Sequence, residues 1–431
     1  MGNPERRVRV SSSRRGADAQ QTPASQAKPK KQHRSGYADY RGWRAIYNPL
    51  WCYHGFRMSV IVLTVFGVIM VFSSSTVAMV AQGSSPWSKA LNQSIFAIIG
   101  VVLALIAMHV PERFYKKWAN IVLIGAIVLQ LATIPFGTEV NGNSGWIYIF
   151  GLSVQPAEFT KYALCIWLPG AMVIGRKQYE RTPAGRSLGE QFTRVCGSFR
   201  WAIIGYAVAL GAVLLGKDLG TAIIVLFIGG IGFLIGGFPG KALCVLAALA
   251  VVLVVGFVVS SPNRMSRILA TYRECSTDDI TGVCYQAMHA EYALGSGGIL
   301  GVGLGNSREK WNYLPEAHND FIYAIIGEET GLVGTTIVLL LFVIMGWCLY
   351  TIARATKDRY TSIALMCFGM WIIGQALVNI GVVIRIFPVM GVPLPFVSAG
   401  GSSLVMCLLA AGTIDAFMRA QPQIHAELSR V

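Results

Sequence analysis

The chain has 431 residues, of which 54% are hydrophobic and only 13% charged. Soluble globular domains carry about 25% charged residues, so water does not solvate most of this chain. The net charge of +15 is compatible with nucleic-acid binding. The basic residues, however, lie in short segments between apolar runs, without an aromatic-studded groove, so the composition points to a membrane protein and away from a nucleic-acid partner.

Residues 1–57 are rich in Arg, Lys, Ser, Gln and Pro, and residues 1–40 read as a disordered tail. No apolar core or small-residue cleavage site marks a secretory signal. The tail is either solvated beside anionic lipid or a docking segment for a cytoplasmic partner. Ten apolar runs follow, at about 58–82, 90–110, 118–136, 156–175, 199–216, 218–237, 241–261, 319–352, 361–387 and 396–418. Each approaches the roughly 20 residues that cross a bilayer core. The expected fold is therefore an all-α polytopic membrane domain over 58–418, with a short tail at 419–431. The eighth run is long enough to start above the membrane or to contain a break.

Lys and Arg fix the expected orientation. The tail is basic, as are the connections holding Arg113, Lys116 and Lys117; Arg176, Lys177, Arg181, Arg186, Arg194 and Arg200; and Arg354, Lys357 and Arg359. On the other face, 83–89 offers only Lys89 and 137–155 offers none. Both termini are expected to be cytoplasmic. The long connection 262–318 is then external; it carries Arg264, Arg267, Arg308 and Lys310 among several carboxylates. Long external loops escape the charge rule, and loops of this length are uncommon unless functional or disordered.

The fourth run opens Gln155-Pro-Ala-Glu-Phe-Thr-Lys161. Glu158 and Lys161 share a helix face at i, i+3, either as an ion pair locking the bundle or as a wall of a polar cavity. Asp218 opens the sixth run and reads first as a helix cap. In the external loop, Cys275 and Cys284 flank the turn-forming Asp279 and Gly282. They are either unpaired thiols or a disulfide that stiffens the segment carrying Arg264, Arg267 and Gln286. The glycine-rich run 295–305 lacks a preceding strand and reads as a re-entrant or substrate-shaping segment, not a phosphate loop.

The segment 310–329 is the richest. Asp320 is placed at the water–membrane boundary with Glu316 and His318 close by, and Glu328 and Glu329 lie about 12 Å deeper at 1.5 Å per residue. Asp320 is either a helix cap or a general base acting beside Lys310 and the external arginines. Residues 379–404 interrupt apolar sequence with three prolines and four glycines, which is tolerated only inside protein or around a water-filled cavity.

Five stretches carry a resemblance: GWIYIFGLSVQPAEFTK (145–161), KDLGTA (217–222), YQAMHAEYALGSGGILGVGLGNSREK (285–310), YLPEAHNDFIYAIIGEETGLVG (313–334) and NIGVVIRIFPVMGVPLPFVSAGGSSL (379–404). Together they resemble the SEDS family of bacterial cell-wall polymerases, over residues 58–418. Val71-Phe-Ser-Ser-Ser75, the YLPEAH wording and the basic tail look more like its division branch than its elongation branch, the RodA type.

The resemblance implies a peptidoglycan glycosyltransferase that polymerises lipid II into glycan strands and releases undecaprenyl pyrophosphate. It implies Asp320 as the catalytic carboxylate. Substrate-binding or cavity-lining roles then fall to Trp146, Glu158, Lys161, Asp218, Arg264, Arg267, Gln286, Lys310, His318, Ser398 and Ser402. A divalent cation, Mg or Mn, is a further expectation. Expected partners are the lipid-linked glycan strand, a class B penicillin-binding protein and other division proteins, at the septal plasma membrane. The chain departs from the family's pattern at Gly145, where arginine is frequent, at Lys217, where proline is common, and at Arg385, where glycine is usual. Competing readings are a lipid flippase or transporter, an elongation-type polymerase, and a non-catalytic scaffold.

Overall fold

A computed structural model describes residues 42–140, 143–149, 152–185, 187–272, 283–311 and 313–429. The expected tail 1–40 lies outside the described residues.

After a 3-10 turn (Gly42–Tyr47), helix α1 runs Pro49–Ala81, followed by α2 (Ser88–Ala107), α3 (Glu112–Leu131) and the single turn α4 (Thr133–Phe136). Three short strands, β1 (Thr138–Val140), β2 (Asn143–Ile149) and β3 (Leu152–Val154), form an antiparallel meander in the order β1-β2-β3. Then come α5 (Pro156–Arg181), α6 (Leu188–Leu215), α7 (Leu219–Ile235), α8 (Gly240–Val259), α9 (Pro262–Tyr272), α10 (Val283–Gly297), α11 (Ile322–Ala355), α12 (Arg359–Val383), α13 (Gly401–Arg419) and α14 (Pro422–Leu428).

All ten apolar runs are helical. Among the described residues eight helices are long and apolar enough to cross a membrane by length and composition, and the chain is a multi-pass membrane protein. Helix α7 is apolar but shorter, at 17 residues, and α5 carries Glu158, Lys161 and a basic last turn. Helix α1 opens upstream of the expected residue 58: Asn48 accepts a bond from Leu50 N at 3.0 Å and Pro49 stands where the missing N–H costs nothing. At the other end, α14 occupies much of the expected C-terminal tail. The strands are not in the all-α expectation. Two antiparallel pairings, Thr138 with Trp146 and Ile147 with Val154, satisfy backbone groups of the 137–155 connection.

Helices α12 and α13 form the centre, with 78% of each apolar window buried. Around them α2 packs on α13, α1 on α11, and α5 on α3, α6 and α12. Helix α8 lies at the periphery, with 6% of its window buried, and meets mainly α7 and α9.

The long eighth run does contain a break. At Gly331 the backbone turns to φ 69°, ψ −166° inside α11. Amides of 302–303 donate to the Glu328 and Glu329 carbonyls, and those of 332–333 to the Gly298 and Ile299 carbonyls. The glycine-rich run thus threads alongside the break and satisfies the groups it frees. A Cβ at Gly331 would stand 2.4 Å from Gly301 N and from Ile299 O.

Helix α12 stops at Val383 and α13 starts at Gly401, so 384–400 is irregular where the sequence reading extended both helices into it. Pro388, Pro393 and Pro395 cannot donate to a helical ladder. Arg385 takes φ +60°, which ends α12.

Candidate active site

The turns of 314–321 set the site. Glu316 adopts φ +57°, and its carbonyl accepts from Asn319 N at 2.9 Å and Phe321 N at 3.4 Å. The irregular 384–400 segment braces these turns. Asn379 Nδ2 donates to the carbonyls of Asp320 and Val392, both at 2.8 Å. Ser398 Oγ donates to Asn319 O at 2.8 Å and accepts from Leu394 N at 2.7 Å. Ala399 N donates to His318 O at 2.9 Å. The backbone of Asp320 is thus pinned by α12 and by the proline-rich segment.

Its carboxyl is not spent on capping. The N-cap of α11 is Phe321, without a side-chain cap bond. Gly391, whose φ of +71° calls for glycine, lies beside it: a Cβ there would stand 3.6 Å from Asp320 Oδ2, an ordinary contact. Burial pushes the Asp320 carboxyl up to about 7, helped by the like charges of Glu316 and Asp218 and opposed by the Arg267 guanidinium. His318 moves the other way. Burial and the nearby Lys89 ammonium lower it to about 4, against the pull of Glu316, so the ring is neutral near pH 7. Lys89 Nζ contacts its Nε2.

Beside this segment lies a cavity of about 650 Å3 lined by Lys217 and Asp218, the start of α7, Val254, Phe257 and Val258 of α8, Arg264 and Arg267 of α9, and Pro388 to Met390. Its size falls within the range of small-molecule sites. Asp218 fulfils the cap reading, accepting from Thr221 N and Thr221 Oγ1 at 2.9 Å each, and also faces the cavity. Gln155 Nε2 donates to Asp218 Oδ2 at 2.8 Å while Gln155 N donates to Ser402 Oγ at 3.2 Å, tying the start of α5 to α7 and α13. Arg264 donates to Phe257 O at 3.0 Å and stacks on that ring at 3.8 Å. Lys217 takes φ +59°, a conformation closed to proline; the departure at this position has a backbone cause.

The other expected site residues stand apart from the cavity lining. Glu158 and Lys161 pair at 2.8 Å with almost no exposure. Lys161 Nζ also donates to Gln375 Oε1 at 2.7 Å, and Gln375 Nε2 donates to Pro393 O at 2.8 Å. The pair therefore supports the proline-rich segment from behind. Lys310 is buried, donating to Glu329 Oε1 at 3.1 Å and Gly305 O at 2.6 Å. Ser73 Oγ donates to both Glu329 oxygens at 2.7 Å, and Glu328 accepts from Ser307 Oγ at 2.5 Å and Arg308 N at 2.9 Å. These carboxylates hold the 305–310 loop. Gln286 is half-buried on α10 and Trp146 half-buried on β2.

Cys284 is disulfide-bonded; Cys275, its expected partner, lies outside the described residues. Among the described residues no three His, Cys, Asp or Glu side chains group so as to hold a metal ion. Lys89, Gln155, Asn379 and Gln375 were not singled out by the sequence reading. An amide side chain inside an apolar run was the available signal for two of them, Asn379 and Gln375.

The profile of the FtsW/RodA/SpoVE family, described as cell cycle protein, matches residues 54–421. The chain is 34% identical to the probable peptidoglycan glycosyltransferase FtsW of Trichlorobacter lovleyi, over 83% of this chain and 90% of that one. It is 34% identical to stage V sporulation protein E of Bacillus subtilis, over 82% and 93%. Among solved structures, a chain of a peptidoglycan synthase complex that coordinates polymerisation and crosslinking aligns with TM-score 0.64 at 24% identity, over 85% of this chain and 97% of that one. The rod shape determining protein RodA of Thermus thermophilus aligns with TM-score 0.60 at 22% identity, over 86% and 97%.

Proposed function

This chain belongs to the FtsW/RodA/SpoVE family of cell cycle proteins, and from that premise we propose that it is a peptidoglycan glycosyltransferase of the division type, polymerising lipid II on the external face of the bacterial plasma membrane. The observation that carries the reading is one carboxyl, Asp320, held near neutrality beside a cavity that carries Asp218, Arg264 and Arg267.

Lipid II presents an isoprenoid tail, a pyrophosphate and a sugar. The apolar α7 and α8 walls suit the tail, and Arg264 and Arg267 offset the anionic leaving group. Asp320 accepts the proton of the attacking sugar hydroxyl as the bond to pyrophosphate breaks and undecaprenyl pyrophosphate departs. A base whose pKa sits near the working pH gives the best compromise between ionised fraction and proton affinity; such help is worth roughly 10²–10⁴ in rate. Asn379, Ser398 and the proline-rich segment hold the base in place, and the Glu158–Lys161–Gln375 chain holds that segment. The partner is a class B penicillin-binding protein, a transpeptidase that would crosslink the emerging strand.

The test is polymerisation of labelled lipid II by the purified chain, alone and with that partner. Glan-strand ladders that depend on Asp320 support the proposal. Transport of lipid II across vesicles without strand synthesis under both conditions would replace it with the flippase reading.

A further inference from the structure

Arg385 sits just past α12 in the left-handed region, φ +60°, where a side chain bearing Cβ stays only when its surroundings hold it. The holding contacts are specific. Its Nε donates to Thr271 O at 3.1 Å and one Nη donates to Ala270 O at 3.4 Å. The other Nη meets Glu291 of α10 at 3.3 Å. Ala270 and Thr271 end α9, whose last carbonyls have no intrahelical partner; a guanidinium there satisfies two of them and opposes the negative end of the helix dipole. One residue on, Ile386 O accepts from Tyr272 Oη at 2.9 Å, so two adjacent positions stitch the same helix end.

The start of α9 is held by Arg264, which donates to Phe257 O and Lys217 O, while the helix as a whole packs mainly on α8 and α10, and α8 is itself peripheral. Helix α9 supplies Arg264 and Arg267 to the cavity, and the residues just after Arg385, Pro388 to Met390, line the same cavity. We propose that Arg385 is a positioning residue that clasps the end of α9 to the end of α12 and thereby fixes Arg267 against Asp320. The functional half of this statement rests on the glycosyltransferase reading; the clasp itself does not.

The experiment uses the full chain in lipid nanodiscs, with Arg385→Gly, which relieves the backbone strain, and Arg385→Met, which keeps the length without the guanidinium. Hydrogen exchange of the α9 amides (262–272) is read against α12 as an internal control. Both variants are expected to speed exchange in α9 and leave α12 unchanged. In lipid II turnover, kcat/KM is expected to fall on the order of 10–100-fold, the cost of misplacing a group by about an ångström. In an Arg267→Gln background, Arg385→Gly is expected to add little, because both act through one guanidinium. Unchanged α9 exchange would overturn the clasp, and independent, multiplying losses would overturn its action through Arg267. If the unmodified chain polymerises nothing, the glycosyltransferase reading falls while the exchange measurement still decides the clasp.

Discussion

At the scale of single residues, Asp320 is the position where burial, charge and backbone restraint converge. Asp320→Asn is expected to keep insertion and abolish strand synthesis, and the unmodified chain's rate should climb with pH through about 7 as the carboxyl ionises. The stability sign runs opposite. The folded carboxyl titrates near 7 and the unfolded one near 3.8, so the unfolded state loses its proton first. Ionisation therefore costs stability from about pH 4 upward and levels off above pH 7. Melting curves of the Asn variant should match the unmodified chain below pH 4 and lie at or above it at pH 8; a lower melting point at pH 8 would count against the raised value. Glu158 and Lys161 make a second case. Removing one partner leaves the other charge buried, at about 3–5 kcal/mol, so Glu158→Gln and Lys161→Met should each be costly and the double change cheaper than their sum. Additive losses in a double-mutant cycle would refute the coupling. That pair was legible from i, i+3 spacing alone. The Lys310–Glu329–Ser73 cluster was not, because its members lie on three separate elements and only the folded chain brings them together.

At the scale of elements, hydropathy located every long apolar helix, since lipid-length runs need no tertiary context. It misjudged the ends: α3 starts at Glu112 and α6 at Leu188, where polar first turns carry no apolar signal. The capping box of Ser187 and Glu190 was the cue available for α6. The meander of β1 to β3 escaped because its strands, two of them only three residues long, are too short for a period to show. The length of the eighth run left open a start above the membrane or a break, and the place of the break in α11 depends on a neighbour. Gly331 is left-handed and backbone-to-backbone with Gly301 and Ile299. Gly331→Ala is expected to cost about 1–3 kcal/mol from a backbone conformation essentially reserved for glycine, plus the displacement of residues 298–303. Limited proteolysis should then cut within 295–310 faster than in the unmodified protein, while an equal cutting rate would show that the break tolerates a side chain.

For the molecule as a whole, composition excluded a soluble protein and lysine–arginine counts gave an orientation, but neither could say which helices form the centre. The structure gives that place to α12 and α13, which join the proline-rich segment 384–400 to the opposite end of the bundle. Residues 1–40 are too polar to pack among such helices. Deleting them is expected to leave polymerisation by detergent-purified protein within about twofold, since changes remote from packed groups are usually small; loss of turnover in that assay would make the tail part of the catalytic unit.

The loosely packed α8 puts one wall of the cavity in the hands of the bilayer. Its tilt has few protein contacts beyond α7 and α9 to fix it, so a change in the thickness of the surrounding hydrocarbon is expected to move Val254, Phe257 and Val258, together with the arginines of α9, relative to Pro388 to Met390. The enzyme would then register acyl-chain length as a change in the shape of its own site. Vesicles differing only in that length should give different KM values for lipid II, and a mutation-free pairing of α8 to its neighbours by crosslinking should flatten the difference; identical KM values across lipid thickness would mean that α8 is held by something other than the membrane.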